Sequence, residues 1–275
     1  MQFIETCSHY GKGAWTPTPL HIKMILKRYL PYCAFTFLAI FNLAGHCSAQ
    51  DATGPTPFPA KDSPLWQGKG VIRVFPWMVD NRNYFWTKRA EAQNSIVFVG
   101  DSLTGNWGNV AQAFPKLHIA NRGIGGDVTR GVLFRFKEDV LDLHPKAIVI
   151  LIGSNDLSAK ESPADALSNI SDILAMAQAG APSAPIILCT VCPRDSKEAP
   201  IDISQLKELN EGIVKLAQGK PNVTLLDLFP LFVLPDGSGA PDPQYFRPDK
   251  LHFGPAGYAK WHDALEPIFV NLKLE

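Results

Sequence analysis

The sequence predicts a three-layer α/β/α sandwich around a five-stranded parallel sheet, and three observations lead there. From Ile96 onward, short apolar runs alternate with longer stretches whose apolar residues recur at steps of three and four. The runs are continuously apolar, as strands buried on both faces require. The stretches between them are one-faced and long enough to be helical crossovers, which a parallel sheet needs between consecutive strands.

Taken in order, residues 1–49 stand apart. Lys27 and Arg28 precede the mostly apolar Tyr29–Ala44, and Gly45-His46-Cys47-Ser48-Ala49 follows as a mainly small-residue run. This is the layout of a secretory signal peptide, with cleavage after Ala49. The basic pair fits a start at Met24 better than one at Met1. The apolar part is shorter than the roughly 20 residues that span a bilayer and contains Pro31 and Asn42, so no stable membrane span is expected. Lipidation of Cys47 is the competing reading, but His46 intrudes between the glycine and the cysteine.

Residues 50–94 read as an extension packing on the domain at 95–275. Asp51 to about Gly70 is rich in Pro, Gly and Ser and implies irregular chain. Asn81–Gln93 implies a helix whose Tyr84, Phe85 and Trp86 pack in the core. Strands are expected at Ile96–Val99, Leu117–Ala120, Ala147–Ile152, Pro185–Thr190 and Val223–Asp227. The clearest helix has Ser162 as its cap, Pro163 at its first position, an apolar face of Leu167, Ile170, Leu174 and Ala177, and Gly180 as its stop. The next repeats the design with Leu206, Leu209, Ile213 and Leu216 before Gly219. A last helix begins near Gly254-Pro255.

Composition excludes several classes. Of 275 residues, 46% are hydrophobic and 19% charged, enough for a real core and unlike a disordered or collagenous chain. Lys+Arg and Asp+Glu both number 26, and no basic run suggests a phosphate-tracking surface, so no nucleic acid partner is expected. Removal of the leader takes Lys12, Lys23, Lys27 and Arg28 but only Glu5, leaving a slightly acidic chain. Of the five cysteines, only Cys189 and Cys192 would then remain. Three apart in an extended strand, they face opposite sides at about 10 Å, beyond disulfide reach, and read as buried thiols. Two cysteines without a His-Glu-x-x-His pattern offer no credible metal ligand set.

In open parallel sheets, ligands bind outside the carboxyl ends of the strands. The first strand ends in Gly100-Asp101-Ser102-Leu103, putting a hydroxyl on the turn into a helix, whose N-terminus favours negative charge. The second runs into Asn121-Arg122-Gly123-Ile124-Gly125-Gly126-Asp127, a glycine-rich turn with exposed N–H groups. The third ends in Gly153-Ser154-Asn155-Asp156 and offers a carboxamide. After the fifth comes Asp249-Lys250-Leu251-His252. A lone serine after a strand is ordinarily a cap. Here a hydroxyl, an imidazole with its own carboxylate, and donors for an oxyanion share one sheet edge, the constellation acyl transfer needs.

These four blocks, in this order, resemble the SGNH (GDSL) hydrolase family, and Asn121 to Leu133 looks most like its branch of platelet-activating-factor acetylhydrolase-type esterases. The likeness spans Ile96 to Glu275. It implies a flavodoxin-like sheet, Ser102 as nucleophile, Asp249 and His252 completing the triad, and an oxyanion hole of the Ser102 and Gly126 N–H groups with the Asn155 side chain. It implies no cofactor and no metal. Ser154 stands where many members have threonine, and Thr104-Gly105-Asn106 varies the stretch after the nucleophile. The expected function is an exported serine esterase removing a short acyl group, plausibly acetyl, from a carbohydrate or small lipid-like ester. The alternatives are a catalytically silent glycan-binding module and an acyltransferase on the same scaffold.

Other signals carry less. Gly123-x-Gly125-x-x-Val128 lacks the third small residue of a dinucleotide fingerprint. His118 and His144 read as surface or structural, His262 has no obvious partner, and Trp107 fits either a pocket wall or the core. Arg130 and Arg194 read as surface pairs.

Overall fold

The structure is a computed structural model and describes residues 53–275. The leader, with Cys47 and the cleavage after Ala49, lies outside the described residues. Thr53–Glu275 forms one compact unit. Its elements are α1 (Pro76–Thr87), β1 (Ile96–Gly100), α2 (Ser102–Gly105), α3 (Val110–Ala113), β2 (Ile119–Gly123), α4 (Thr129–Asp139), β3 (Ala147–Leu151), α5 (Ser154–Ser158), α6 (Pro163–Gly180), β4 (Ile186–Cys189), α7 (Ile203–Ala217), β5 (Val223–Leu226), α8 (Phe229–Phe232) and α9 (Pro255–Asn271).

The five strands form one all-parallel sheet in the order β2-β1-β3-β4-β5. Because successive side chains point to opposite faces, each strand feeds two cores. Val97, Val99, Ile148, Ile150 and Leu188 pack beneath α4, α6 and α7, against Val132, Phe136, Ile170, Leu174 and Leu209. Ile96, Phe98, Val149, Leu151 and Ile187 face Trp107, Phe114, Trp261, Leu265 and Phe269 on the other side. The chain therefore forms the three layers expected. β1 has β2 on one side and β3 on the other, so the strand order reverses between β1 and β3, and open sheets bind ligands at the carboxyl ends of strands at such a switch point.

Helix boundaries follow local chemistry. Ser162 caps α6 by accepting the Asp165 N–H at 3.1 Å, with Pro163 where its missing N–H costs nothing. The Asp202 carboxylate caps α7 through the Ser204 N–H at 2.8 Å.

Several expectations are corrected. α1 begins at Pro76 instead of Asn81 and ends at Thr87, because Pro76 starts the helix and Lys88 to Asn94 is turn. Only Phe85 of the three aromatics there is buried: Tyr84 is 59% exposed, and Trp86 lies under the Arg89 guanidinium. β2 starts at Ile119 and continues through polar Asn121 and Arg122. It is an edge strand, and the Asn121 side chain bonds the Thr104 and Trp107 carbonyls and the Gly123 N–H. Trp107 is 2% exposed and packs on Trp261 and Tyr258. His262 has a partner after all, stacking on Phe114 with ring centres 4.5 Å apart. Cys189 and Cys192 are buried free thiols, as expected.

Residues 53–75 cross the surface without regular structure and are tied down by the domain. Arg130 is the main tie and no mere surface pair. Its guanidinium donates to the Trp66, Gln67 and Gly70 carbonyls at 3.3, 2.9 and 2.8 Å. Asn169 holds Lys69 from both sides, accepting its N–H and donating to its carbonyl. Phe58 and Trp66 pack on Phe134.

Candidate active site

Ser102 follows β1 directly, on a turn capped by the preceding Asp101, whose carboxylate accepts the Leu103 N–H at 2.9 Å. His252 arrives from a loop closed by the Phe246–Phe253 bridge. Within it the Arg247 N–H bonds the His252 carbonyl at 2.7 Å, and Asp249 Oδ1 accepts the Leu251 and His252 N–H groups at 3.0 and 2.9 Å. This tight turn explains the spacing: with one carboxylate oxygen occupied by backbone, the other points at the ring.

The result is a continuous chain of contacts. Ser102 Oγ lies 2.9 Å from His252 Nε2, and His252 Nδ1 lies 2.7 Å from Asp249 Oδ2. The three residues, 150 positions apart at their extremes, meet at hydrogen-bond distance. Burial works to raise the Asp249 pKa, but the backbone and ring hydrogen bonds from His252 and the Leu251 N–H outweigh it and hold the carboxyl below its ordinary value. Asp249 therefore stays a carboxylate, able to fix the imidazole in the tautomer that accepts a proton at Nε2.

The candidate oxyanion donors Gly126 and Asn155 lie just after β2 and β3. Gly126 has φ +83°, a conformation that penalises a side chain. Its peptide lies close to Ser102: a β-carbon on Gly125 would sit 3.9 Å from Ser102 Cβ. Among the described residues, neither the Ser102 nor the Gly126 N–H has a hydrogen-bond acceptor within the protein. Asn155 sits in the first turn of α5, the short helix after β3, entered through Gly153 at φ +125°. One of its two amide hydrogens goes to the Asp127 carbonyl at 3.0 Å, leaving the other free.

The surroundings are densely ionic. Arg135, fully buried, reaches Asp127 Oδ2 at 2.8 Å, Asp139 Oδ2 at 3.2 Å and the Gly100 carbonyl at 3.2 Å. Asp156 accepts both the N–H and the hydroxyl of Thr129, and burial pushes its pKa up to about 7. Burial likewise pushes Asp101 up to about 6.

Arg194 corrects another expectation. It is 6% exposed, and its Nη1 donates to Ser154 Oγ at 2.8 Å while Nη2 reaches the Ala199 carbonyl at 2.6 Å. It braces the turn that carries Asn155, and Ser154 takes part as acceptor. The only sequence signal was its place just beyond the carboxyl end of β4. Size does not mark the site. A cleft of about 530 Å³ runs along the outer edge of β2 and includes none of Ser102, Asp249 and His252. One of about 440 Å³, lined by Asn106, Trp107, Arg247, Gly254 and Tyr258, adjoins the chain on either side of the triad turns. Among the described residues, no three His, Cys, Asp or Glu side chains cluster as metal ligands would, and no helix is long and apolar enough to cross a membrane.

A three-layer α/β sheet hosts many unrelated activities, so the class, a hydrolase of carboxylic esters, comes from the matching family and relatives together with this fold. Residues 98–260 match the GDSL-like lipase/acylhydrolase family, and the chain belongs to that family, an SGNH hydrolase and a carboxylic ester hydrolase. Platelet-activating factor acetylhydrolase IB subunit alpha2 from Rattus norvegicus and from Homo sapiens is each 32% identical over 205 residues, covering 71% of this chain and 84% of the relative. Among solved structures, one described as an acylhydrolase from Bacteroides fragilis superposes with a TM-score of 0.63 at 26% identity, covering 74% of this chain and all of the other. A GDSL-like lipase from Bacteroides thetaiotaomicron shares the fold with a TM-score of 0.61 at 24% identity, over 68% of this chain and 96% of the other.

Proposed function

We propose that the protein is an exported serine esterase that removes a short acyl group, acetyl foremost, from a carbohydrate or small lipid-like ester. The observation that carries this reading is the 2.9 Å approach of Ser102 Oγ to His252 Nε2, backed by Asp249. Ser102 Oγ attacks the ester carbonyl as its proton passes to His252 Nε2. The tetrahedral oxyanion is held by the Ser102 and Gly126 N–H groups and the free Asn155 amide hydrogen. The C–O bond then breaks, the alcohol leaves with the proton from His252, and water, activated by the same imidazole, releases the acid and restores the hydroxyl. The short acyl preference is supported by the acetylhydrolase relatives.

The test is hydrolysis of nitrophenyl esters from acetyl to decanoyl, with Ser102→Ala as control. Highest kcat/KM on acetyl supports the reading. A maximum at decanoyl overturns the short-chain preference, and no turnover of any ester or acetylated sugar overturns the esterase reading in favour of a binding module. Asn155→Ala is expected to lower kcat about 10²–10³-fold with little change in KM, because the amide meets charge that develops only in the transition state. A fall in the thermal midpoint of Asn155→Ala large enough to account for its rate loss would instead mark Asn155 as structural.

Export rests on the leader pattern of residues 1–49. Mass spectrometry of the protein recovered outside the cytoplasm is expected to find Gln50 as its first residue. An intact leader on the recovered protein would refute cleavage after Ala49.

A further inference from the structure

We propose that Trp77, outside the family match at 98–260 and contributed by the N-terminal extension, is a positioning residue that aims the Gly126 N–H at the oxyanion. The inference rests on the serine mechanism above.

The Trp77 indole N–H donates to the Gly125 carbonyl at 2.9 Å. That carbonyl and the Gly126 N–H belong to one peptide unit. Because the unit is planar and trans, the two point in opposite directions, so fixing the carbonyl fixes the N–H. The peptide lies between two glycines, which rotate about it at little cost, and Gly126 is in the left-handed region. Nothing intrinsic to Gly125-Gly126 selects the orientation that faces Ser102. Among the described residues, Trp77 is the only hydrogen-bond donor to the Gly125 carbonyl. A hydrogen bond on the carbonyl side also polarises the peptide and strengthens its N–H as a donor.

The indole is held in place, although 48% of it is exposed. Phe75 stacks on it with ring centres 4.5 Å apart. The Phe75 ring and the Met78 methyl each come within 3.5 Å of where a Gly126 β-carbon would lie, so α1 packs directly on the oxyanion turn. Met78 and Phe85 bury against Ile124, in the same turn. Arg130 and Asn169 fasten the chain that leads into α1. An exposed tryptophan would ordinarily be an incidental surface residue. Here its one polar atom meets the one peptide that must not turn.

The experiment compares the wild type with Trp77→Phe, which keeps an aromatic stack but has no donor, and with benzothienylalanine at 77, which keeps the indole shape and replaces N–H by sulfur. The readouts are kcat and KM on nitrophenyl acetate, the inhibition constant of phenylboronic acid as a tetrahedral adduct of Ser102, and the thermal midpoint. Loss of one neutral hydrogen bond predicts a three- to tenfold fall in kcat for both variants. The boronate constant is expected to rise by the same factor, with KM within twofold and the midpoint unchanged. Wild-type kcat in both variants, or a fall in kcat seen only with Phe, overturns the role, as does a change confined to KM, which would make Trp77 a substrate platform. Ser102→Ala separates the two levels. If it is inactive while both Trp77 variants match wild type, the Trp77 role alone fails; if it keeps wild-type activity, the serine reading fails and takes this inference with it.

Discussion

Ser102→Ala is expected to cut kcat by about 10⁵-fold or more while leaving the fold intact. The hydroxyl is the only atom in the arrangement that can form the acyl bond, and what remains without it is the modest acceleration that binding and oxyanion donors supply to attack by water. Ser102 Oγ and His252 Nε2 lie 2.9 Å apart, and the proposed proton transfer between them makes their losses non-additive. His252→Ala is expected to cost nearly as much alone, and the double variant no more than either single one. Steady-state rates on nitrophenyl acetate check this, and labelling by a fluorophosphonate probe should vanish in Ser102→Ala. Multiplicative losses in the double variant would show that the two residues contribute separately, contrary to the proton transfer proposed between them. Asp249→Asn tests the third member: the carboxylate held below its ordinary pKa is lost, and with it the grip on the ring.

How much of this was visible in the residues depends on the kind of information each feature carries. Strands and long helices were legible because burial on two faces or one writes a period into the chain, as in Ile96–Val99 or Leu206 to Leu216. Ser102, Asp249 and His252 were legible as candidates because each sits in a short block, Gly-Asp-Ser-Leu or Asp-x-x-His, beyond a strand end, and the structure brings the three to hydrogen-bond distance. The oxyanion candidates Gly126 and Asn155 came from the family resemblance of their blocks. α1 was placed late because its start depends on Pro76, while the aromatics that drew attention are mostly outside the core. Arg130, Arg194 and Trp77 were missed or dismissed for a common reason. Each acts across long sequence distances on a backbone carbonyl or a hydroxyl, and backbone acceptors look the same at every position. No periodicity or spacing records such a bond.

Arg135 shows the same blindness with a larger energetic consequence. In sequence it is one more charge on α4, yet it is fully buried, joined to Asp127, Asp139 and the Gly100 carbonyl. Arg135→Met keeps the length of the side chain and removes the cation. The expected cost is about 3–5 kcal/mol in urea unfolding, the usual penalty for leaving one side of a buried ion pair uncompensated. Burial already pushes the pKa values of Asp127 and Asp139 up, with Arg135 the chief opposing influence, so its removal pushes both further. A carboxyl whose pKa is raised by folding holds a proton that the unfolded chain gives up. Its contribution to stability is therefore full below the unfolded value near pH 4 and is lost as pH rises through the folded value. The deficit of the variant relative to wild type should accordingly be smaller at pH 5 than at pH 8, and Asp127→Asn in the same background should recover part of it at pH 8. A deficit independent of pH would mean that lost packing, not stranded charge, is the cause. Catalysis should suffer alongside stability, since the Asp127 carbonyl takes the Asn155 amide and Asp127 directly follows Gly126. Reduced kcat in variant protein that is still fully folded at pH 6 would tie the buried network to the oxyanion turn it underlies.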